Sequence, residues 1–165
     1  MAIKTMEDLF IHELSDIYSA EKQLTKALPR LARAASNPEL VAAFETHLEE
    51  TQGQVERIDQ VVEVLGIKLK RIKCAAMEGL VEEGKEVIEE VEKGPVRDAA
   101  LIGGAQKVEH YEIASYGTIA ALAKQLGYKD ALPLLLATLQ EEKATDEKLT
   151  LIAKGSSGAQ AAKAA

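Results

Sequence analysis

The sequence predicts an all-α protein, a four-helix bundle with one long crossover that carries a short extra helix. Composition is the first reason: 47% of the 165 residues are hydrophobic and 4% are aromatic, while the strong helix formers Ala, Leu, Glu and Lys abound. Second, four long stretches place apolar residues alternately three and four positions apart, as on a buried helix face. Third, the long link over residues 66–94 can return the chain along a bundle.

The first two long helices are predicted from the residues that begin and end them. Thr5, with Asp8 three residues later, is typical of a helix start, and we expect that helix to run over residues 5–35. Asn37 can cap the second helix, and the proline that follows suits its first position. Gly66 is well placed to end the second helix.

The rest of the chain is predicted to form a crossover and two more long helices. The run IKLKRIK alternates apolar and basic residues, but with no partner strand elsewhere we expect an extended connection. Residues 77–91 have one apolar face, which predicts a short helix that covers the bundle. The third long helix is expected from Pro95 to Gly127 and the fourth over residues 130–154, with a proline tolerable in its first turn.

Charge and cysteine content narrow the function classes. The formal net charge of −7 argues against a nucleic-acid surface and against an anionic membrane, and no apolar run is long enough to span a bilayer. A single cysteine, Cys74, suits a reducing compartment. We therefore expect a cytoplasmic protein, with one domain over residues 1–155 and a flexible C-terminal tail over residues 156–165.

Acidic and polar residues interrupt the middle of every apolar face. Two glutamates in the third helix, Glu109 and Glu112, occupy positions where a core residue is expected, and ionised carboxylates there would be costly to bury. All four long helices show this feature at a similar level, so the side chains can converge on a cation. The predicted metal ligands are Glu21, Glu50, Gln54, Glu109, Glu112, Glu142 and Asp146.

Oxygen-rich ligands with few imidazoles favour iron, manganese, magnesium or calcium over zinc or copper. An alternative remains open on the second helix, because a face through Val41, Leu48, Val55 and Val62 is more apolar and leaves Glu50 near its edge. On the more polar face of the same helix, His47 is a further candidate ligand. The phenol of Tyr116 is expected to hydrogen-bond a carboxylate rather than to act in redox chemistry.

Five runs of the sequence stand out in this order: FIHELSDIYSAEKQL, HLEETQGQVERIDQVVE, VRDAALI, QKVEHYEIASYG and EEKATDEKL. Together they resemble the YciE/YciF family of small bacterial proteins, which belong to the ferritin-like superfamily and are associated with stress responses. The resemblance covers about residues 3–152. It implies a ferritin-like four-helix bundle, a homodimer and a dinuclear metal centre of iron or manganese.

The ferritin-like pattern expects one Glu from each of two helices and a Glu-x-x-His from each of the other two. Glu21 fits the first helix, and Glu109 with Glu112 fits the third. On the second helix Glu50 is followed by Gly53 where His is expected, so Gln54 or His47 would replace it. On the fourth helix Glu142 is followed by Thr145, which leaves Asp146 as the nearby carboxylate. Taken over all four long helices, the candidate ligands are Glu21, His47, Glu50, Gln54, Glu109, Glu112, Glu142 and Asp146.

Two functions follow as hypotheses. One is a stress-response protein whose carboxylates bind a dinuclear iron or manganese centre, with handling of iron or peroxide. The other is a non-catalytic dimeric structural or interaction protein on the same scaffold, which the two broken Glu-x-x-His motifs favour. The sequence contains no phosphate-binding loop or nucleophile elbow.

Overall fold

The computed structural model describes residues 2–155 and contains five α-helices and no β-strand in that range. The predicted all-α fold is thereby confirmed. The helices are α1 (Met6–Ala34), α2 (Pro38–Leu65), α3 (Ala75–Glu90), α4 (Pro95–Gln125) and α5 (Leu132–Ala153). The predicted C-terminal tail, residues 156–165, lies outside the described range, and the division into one domain and a tail stays a prediction.

The helix ends follow local side-chain chemistry, as predicted. At the start of α1, the Thr5 hydroxyl accepts a hydrogen bond from the Asp8 amide at 3.0 Å, and the Asp8 carboxylate accepts one from the Thr5 amide at 3.0 Å. The Asn37 side chain accepts from the amide of Glu39 at the start of α2. Gly66 ends α2 with φ of 62°, a left-handed conformation that glycine adopts without strain.

The crossover between α2 and α4 lies along α1. Its extended part bonds to α1 through two serine hydroxyls, Ser15 accepting from the Lys70 amide and Ser19 from the Cys74 amide, each at 2.9 Å. Helix α3 then packs on α1 and α4 and buries only Met77 fully. The prediction of an extended connection followed by a covering helix is confirmed.

The four long helices form a ring in the order α1, α2, α5, α4. Short loops join α1 to α2 and α4 to α5, which makes each of those pairs antiparallel. Asp98, in the first turn of α4, accepts hydrogen bonds from the backbone amides of Ser36 and Asn37 at 2.8 and 2.9 Å. The starts of α2 and α4 therefore lie at the same end of the bundle, because the crossover carries the chain back along it.

The rotation of α2 decides which of its two candidate faces enters the core. Leu40, His47, Gln54 and Val61 are buried, whereas on the alternative face Val55 is buried and Val41, Leu48 and Val62 are only partly buried. The more polar face is thus the inner one, and the more apolar face lies at its flank. Within residues 2–155, no helix combines the length and hydrophobicity needed to cross a membrane.

Candidate metal centre

Three helices bring four potential ligands together at mid-bundle. Helix α4 contributes Glu109 and Glu112, one turn apart on its inner face, while α5 contributes Glu142 and α2 contributes His47. Each offers one ligand atom, and these atoms lie within 4.8 Å of one another. All four side chains are buried. Because residues three apart share a helix face, the Glu109–Glu112 spacing places both carboxylates toward α2 and α5.

Two further predicted ligands are buried in the bundle, Glu21 on α1 and Gln54 on α2. The phenol of Tyr116 donates a hydrogen bond to Oε1 of Glu21, as the sequence predicted for this tyrosine. Glu21 and Glu112 also lie close enough for each to shift the pKa of the other. The amide oxygen and nitrogen of Gln54 have no hydrogen-bond partner among residues 2–155.

Many buried polar atoms of the candidate ligands lack a hydrogen-bond partner. Within the described residues, ten side-chain oxygen and nitrogen atoms are in this condition, and all belong to six residues of the centre. Buried polar groups are normally paired, and each unpaired group costs about 1–3 kcal/mol. The six residues are Glu21, His47, Gln54, Glu109, Glu112 and Glu142.

This donor set fits a pair of divalent cations. Most of the unpaired atoms are carboxylate oxygens, the hard ligands that suit iron(II) or manganese(II). Four ionised carboxylates, those of Glu21, Glu109, Glu112 and Glu142, would balance the charge of two such ions. A neutral imidazole and an amide oxygen add two more donors. We call these four carboxylates, with His47 and Gln54, the metal centre.

The charge of the His47 imidazole is set by two opposing effects, burial and the nearby carboxylates. Its Nε2 lies 2.8 Å from Oε1 of Glu109, but the ring does not align for a regular hydrogen bond. Burial lowers the pKa of His47, yet the carboxylates of Glu109, Glu50 and Glu142 together outweigh burial and raise that pKa well above its usual value. Without a cation, therefore, an imidazolium can supply part of the positive charge that the carboxylates need.

The buried carboxylates resist ionisation. Burial raises the pKa of Glu21 to about 7, although the neighbouring Glu112 carboxyl and the hydrogen bond from Tyr116 lower it. Burial also raises the pKa of Glu112 well above its usual value, and repulsion from Glu21 and Glu142 adds to the increase. The pKa of Glu142 rises for the same reasons, burial and the nearby Glu109. A cation would remove this penalty, because it favours the charged form of each group.

Glu50 lies at the solvent margin of the metal centre. Its side chain is 33% exposed, with Oε2 3.8 Å from Nδ1 of His47 and 3.2 Å from the Thr145 hydroxyl, which donates to it. His47 lowers the pKa of Glu50, so this carboxylate is ionised at neutral pH. Glu50 is thus placed beside the centre, and its role as a ligand stays a prediction.

Asp146 is not brought into the cluster. Its Oδ1 lies 3.4 Å from Nε2 of Gln106, and its Oδ2 lies 3.2 Å from Nε2 of His110, a side chain that is 70% exposed. The carboxylate is therefore held at the outer side of the α4–α5 contact. Of the two candidates on α5, Glu142 reaches the cluster and Asp146 does not, so a direct part for Asp146 in the cluster would require its side chain to reorient.

His47 is outside the seven predicted metal ligands, although it is a further candidate from the sequence. A signal was present, because His47 lies on the polar inner face of α2, one turn before Glu50 and two turns before Gln54. Spacing alone could not decide between this face and the more apolar one.

A second polar cluster lies apart from the centre, where Tyr111 donates to Asp16 at 2.6 Å and contacts the Cys74 sulfur at 3.0 Å.

Comparisons with known proteins agree with this architecture. The family described as a domain of unknown function, DUF892, matches residues 5–162. Protein YciF of Escherichia coli (strain K12) is 69% identical over 154 residues, which are 93% of this chain and 93% of that protein. The crystal structure of the E. coli stress protein YciF has a TM-score of 0.89 and covers 92% of this chain and 96% of its own.

Two other solved structures extend the comparison. YcfI of Rhodopseudomonas palustris, for which a structural role is suggested, is 49% identical, with a TM-score of 0.87 over 90% of this chain and 94% of its own. A protein from Xanthomonas campestris pv. campestris shares the fold, with a TM-score of 0.72 at 22% identity over 92% of each chain. The chain belongs to the DUF892 family, and its predicted relationship to the YciE/YciF proteins is confirmed.

Proposed function

We propose that this protein binds a dinuclear iron or manganese centre inside its helical bundle, as part of a bacterial stress response. The observation that supports the proposal most strongly is the set of ten buried polar atoms without hydrogen-bond partners, which belong to six side chains of the four long helices. A well-packed core would not retain four carboxylates there unless something offset their desolvation. A pair of divalent cations offsets both the charge and the unpaired donors.

The residues of the metal centre would have different parts in holding the ions. Glu109, Glu112 and Glu142 offer convergent carboxylates, and His47 adds a nitrogen donor. Tyr116 orients Glu21 by its hydrogen bond, as outer partners of metal ligands commonly do. When bound, iron or manganese would supply redox chemistry toward ferrous ions or peroxide, and the surrounding aliphatic core would keep bulk water out.

Metal content is the decisive measurement. We expect elemental analysis of untagged protein, followed by titration with Fe(II) and Mn(II) under nitrogen, to give two ions per chain. A double variant with Glu109→Gln and Glu142→Gln should lose both ions, whereas Glu147→Gln, on the exposed side of α5, should retain them. Unchanged metal content in the double variant, or a metal-free wild type that takes up neither ion, would contradict the proposal.

A second function is supported by the departures from the ferritin-like ligand pattern. Gly53 and Thr145 stand where that pattern has histidines, and one solved relative has a suggested structural role. In this alternative the protein acts as a non-catalytic dimeric structural or interaction protein, with or without a bound ion. Ferrous oxidation or peroxide consumption by the loaded protein, lost in the double variant, would contradict it.

We also propose a cytoplasmic homodimer that acts without nucleic acid or membrane partners. The acidic net charge of −7 supports the absence of a nucleic-acid partner. Gel filtration with light scattering tests the assembly, and a mass of one chain or of a large multimer would contradict the dimer.

A further inference from the structure

A second site of a different chemistry lies away from the metal centre, between the covering helix α3 and the bundle. A cavity of about 310 Å³, partly open to solvent, separates α3 from α1 and α4. Its walls are mainly aliphatic, and two glycines, Gly84 and Gly104, leave room along them. The main apolar side chains are Leu24, Leu31, Val81, Ile88, Leu101 and Val108. Ligand sites commonly combine such an apolar space with a few polar groups.

The cavity continues into a basic depression. Arg30, Lys85 and Ile88 line both, so the two spaces meet at these side chains. Arg33 and Arg97 also line the depression, while Glu89 is its one carboxylate among the described residues. Four cations against one anion form a local positive excess on a chain whose formal net charge is −7. Such a patch attracts anions.

Glutamates are present at the cavity itself, but they do not neutralise the depression. Glu83, Glu86 and Glu90 line the cavity, and Glu83 pairs with Lys107 at 3.5 Å. The positive excess therefore belongs to the adjoining depression, which these three glutamates do not line.

Two guanidinium groups in the depression are available to a ligand. In the part of the chain that the structure describes, the side chains of Arg30 and Arg33 make no hydrogen bond or ion pair. By contrast, Arg97 donates to the carbonyl oxygens of Val91 and Ile88 at 2.8 and 3.0 Å, which fixes the end of α3. Lys85 pairs with Glu82 at 3.1 Å. Guanidinium groups bind carboxylates in a forked, two-bond geometry.

We propose that the cavity and the depression together bind a single-chain amphipathic carboxylate. The alkyl chain would occupy the space between α1, α3 and α4, and the carboxylate would lie between Arg30 and Arg33. The cavity has the volume of about ten water molecules in the liquid, which suits a medium-length chain such as that of decanoate. This site is independent of the metal centre and of the function proposed for it.

Two adjacent glycines of α4 provide a matched test of the proposed site for the alkyl chain. Beyond its chain neighbours and the local backbone of α4, no atom lies within 4 Å of the position where a Cβ would stand on Gly104 or on Gly103, but of these two only Gly104 lines the cavity. Leucine at either position removes a glycine from a helix interior, so both variants should fold. By calorimetric titration below the micelle concentration, Gly104→Leu should weaken decanoate binding roughly tenfold or more, whereas Gly103→Leu should bind like the wild type.

The carboxylate end is tested separately. The double variant Arg30→Gln with Arg33→Gln should bind decanoate several-fold less tightly, and its binding should depend less on salt. Arg71→Gln, an exposed change on the crossover, is the control. Decanol, which has the same chain without the charge, should bind the wild type and the double variant equally.

Several outcomes would overturn the proposal. Equal decanoate affinity in the wild type and Gly104→Leu would show that the cavity does not hold the chain. Equal affinity in the wild type and the arginine double variant would remove the carboxylate site. If the wild type binds no decanoate and Gly104→Leu instead dissociates an oligomer, the occupant is a second copy of this chain. Should Gly104→Leu fail to fold, Gly84→Ala narrows the same cavity, since its Cβ would lie 3.7 Å from Cδ2 of Leu31.

Discussion

Tyr116 on α4 donates a hydrogen bond to the Glu21 carboxylate on α1, and both side chains are fully buried although 95 positions separate them in the chain. The bond fixes one oxygen of Glu21 and leaves the other, Oε2, without a hydrogen-bond partner among residues 2–155. A carboxylate held on one side only is what the proposed metal centre would require of a ligand with an outer partner.

Tyr116→Phe should destabilise the metal-free protein by about 1–3 kcal/mol, because it leaves a buried carboxylate oxygen without its donor. The metal-loaded protein should also bind its ions more weakly, since Glu21 would be less well oriented. Urea denaturation with and without Mn(II) measures both effects. Tyr18→Phe, a change at a partly buried phenol outside the centre, is the control; equal stability of Tyr116→Phe and wild type would contradict the prediction.

The stability of the metal-free protein should fall as pH rises from about 4.5 to about 7. The pKa of Glu21 is raised from 4.5 to about 7 in the folded state by burial, so in this interval the folded chain keeps a proton that the unfolded chain has released. The contribution of Glu21 to the free energy of unfolding is complete below pH 4.5 and is lost as the pH rises to about 7. Its upper limit is about 3 kcal/mol for this one group.

The raised pKa values of Glu112 and Glu142 act in the same direction over this interval. The raised pKa of His47 adds to the fall only above its usual value of 6.5, and the lowered pKa of Glu50 changes stability only near and below pH 4.5. Denaturation at a series of pH values should show the fall, and Glu21→Gln should flatten it. Saturating Mn(II) should reverse the trend, because the ions bind the deprotonated ligands. A metal-free protein that gains stability over this interval would contradict the assignment.

Glu50→Gln should lower the affinity for Mn(II) less than Glu109→Gln does. Glu50 is one-third exposed and bonded to Thr145, whereas Glu109 is buried among the convergent ligands. Calorimetric titration gives the order, with Glu49→Gln, an exposed neighbour, as the control. An affinity loss for Glu50→Gln equal to that of Glu109→Gln would place Glu50 among the principal ligands.

Asp98→Ala should cost about 2–3 kcal/mol of unfolding free energy. The buried carboxylate accepts from two backbone amides in the α1–α2 turn, and hydrogen bonds to a charged group contribute more than neutral ones. Thermal and urea unfolding measure the loss, and Asp130→Ala, an exposed change in the α4–α5 loop, should have almost no effect. A loss below that of Asp130→Ala would show that the turn does not depend on Asp98.

Much of the candidate centre follows from the sequence because helix periodicity is a local property. Glu21, Gln54, Glu109, Glu112 and Glu142 were expected at mid-level on inner faces, and all are buried. His47 and Asp146 show where that reasoning stops. Adjacent positions on a helix differ by about 100°, so the choice between neighbouring faces depends on how each helix rotates against its partners.

The sequence by itself determined the five helices, the caps of α1 and α2 and the presence of acidic residues near the middle of the long helices, because capping, periodicity and glycine conformation act within a few residues. The tertiary structure decided that the polar face of α2 turns inward, that His47 joins Glu109, Glu112 and Glu142, and that Asp146 stays outside. It also created the cavity beside α3. These features depend on contacts between residues far apart in the chain, where packing selects one rotation of each helix from several that its own periodicity allows.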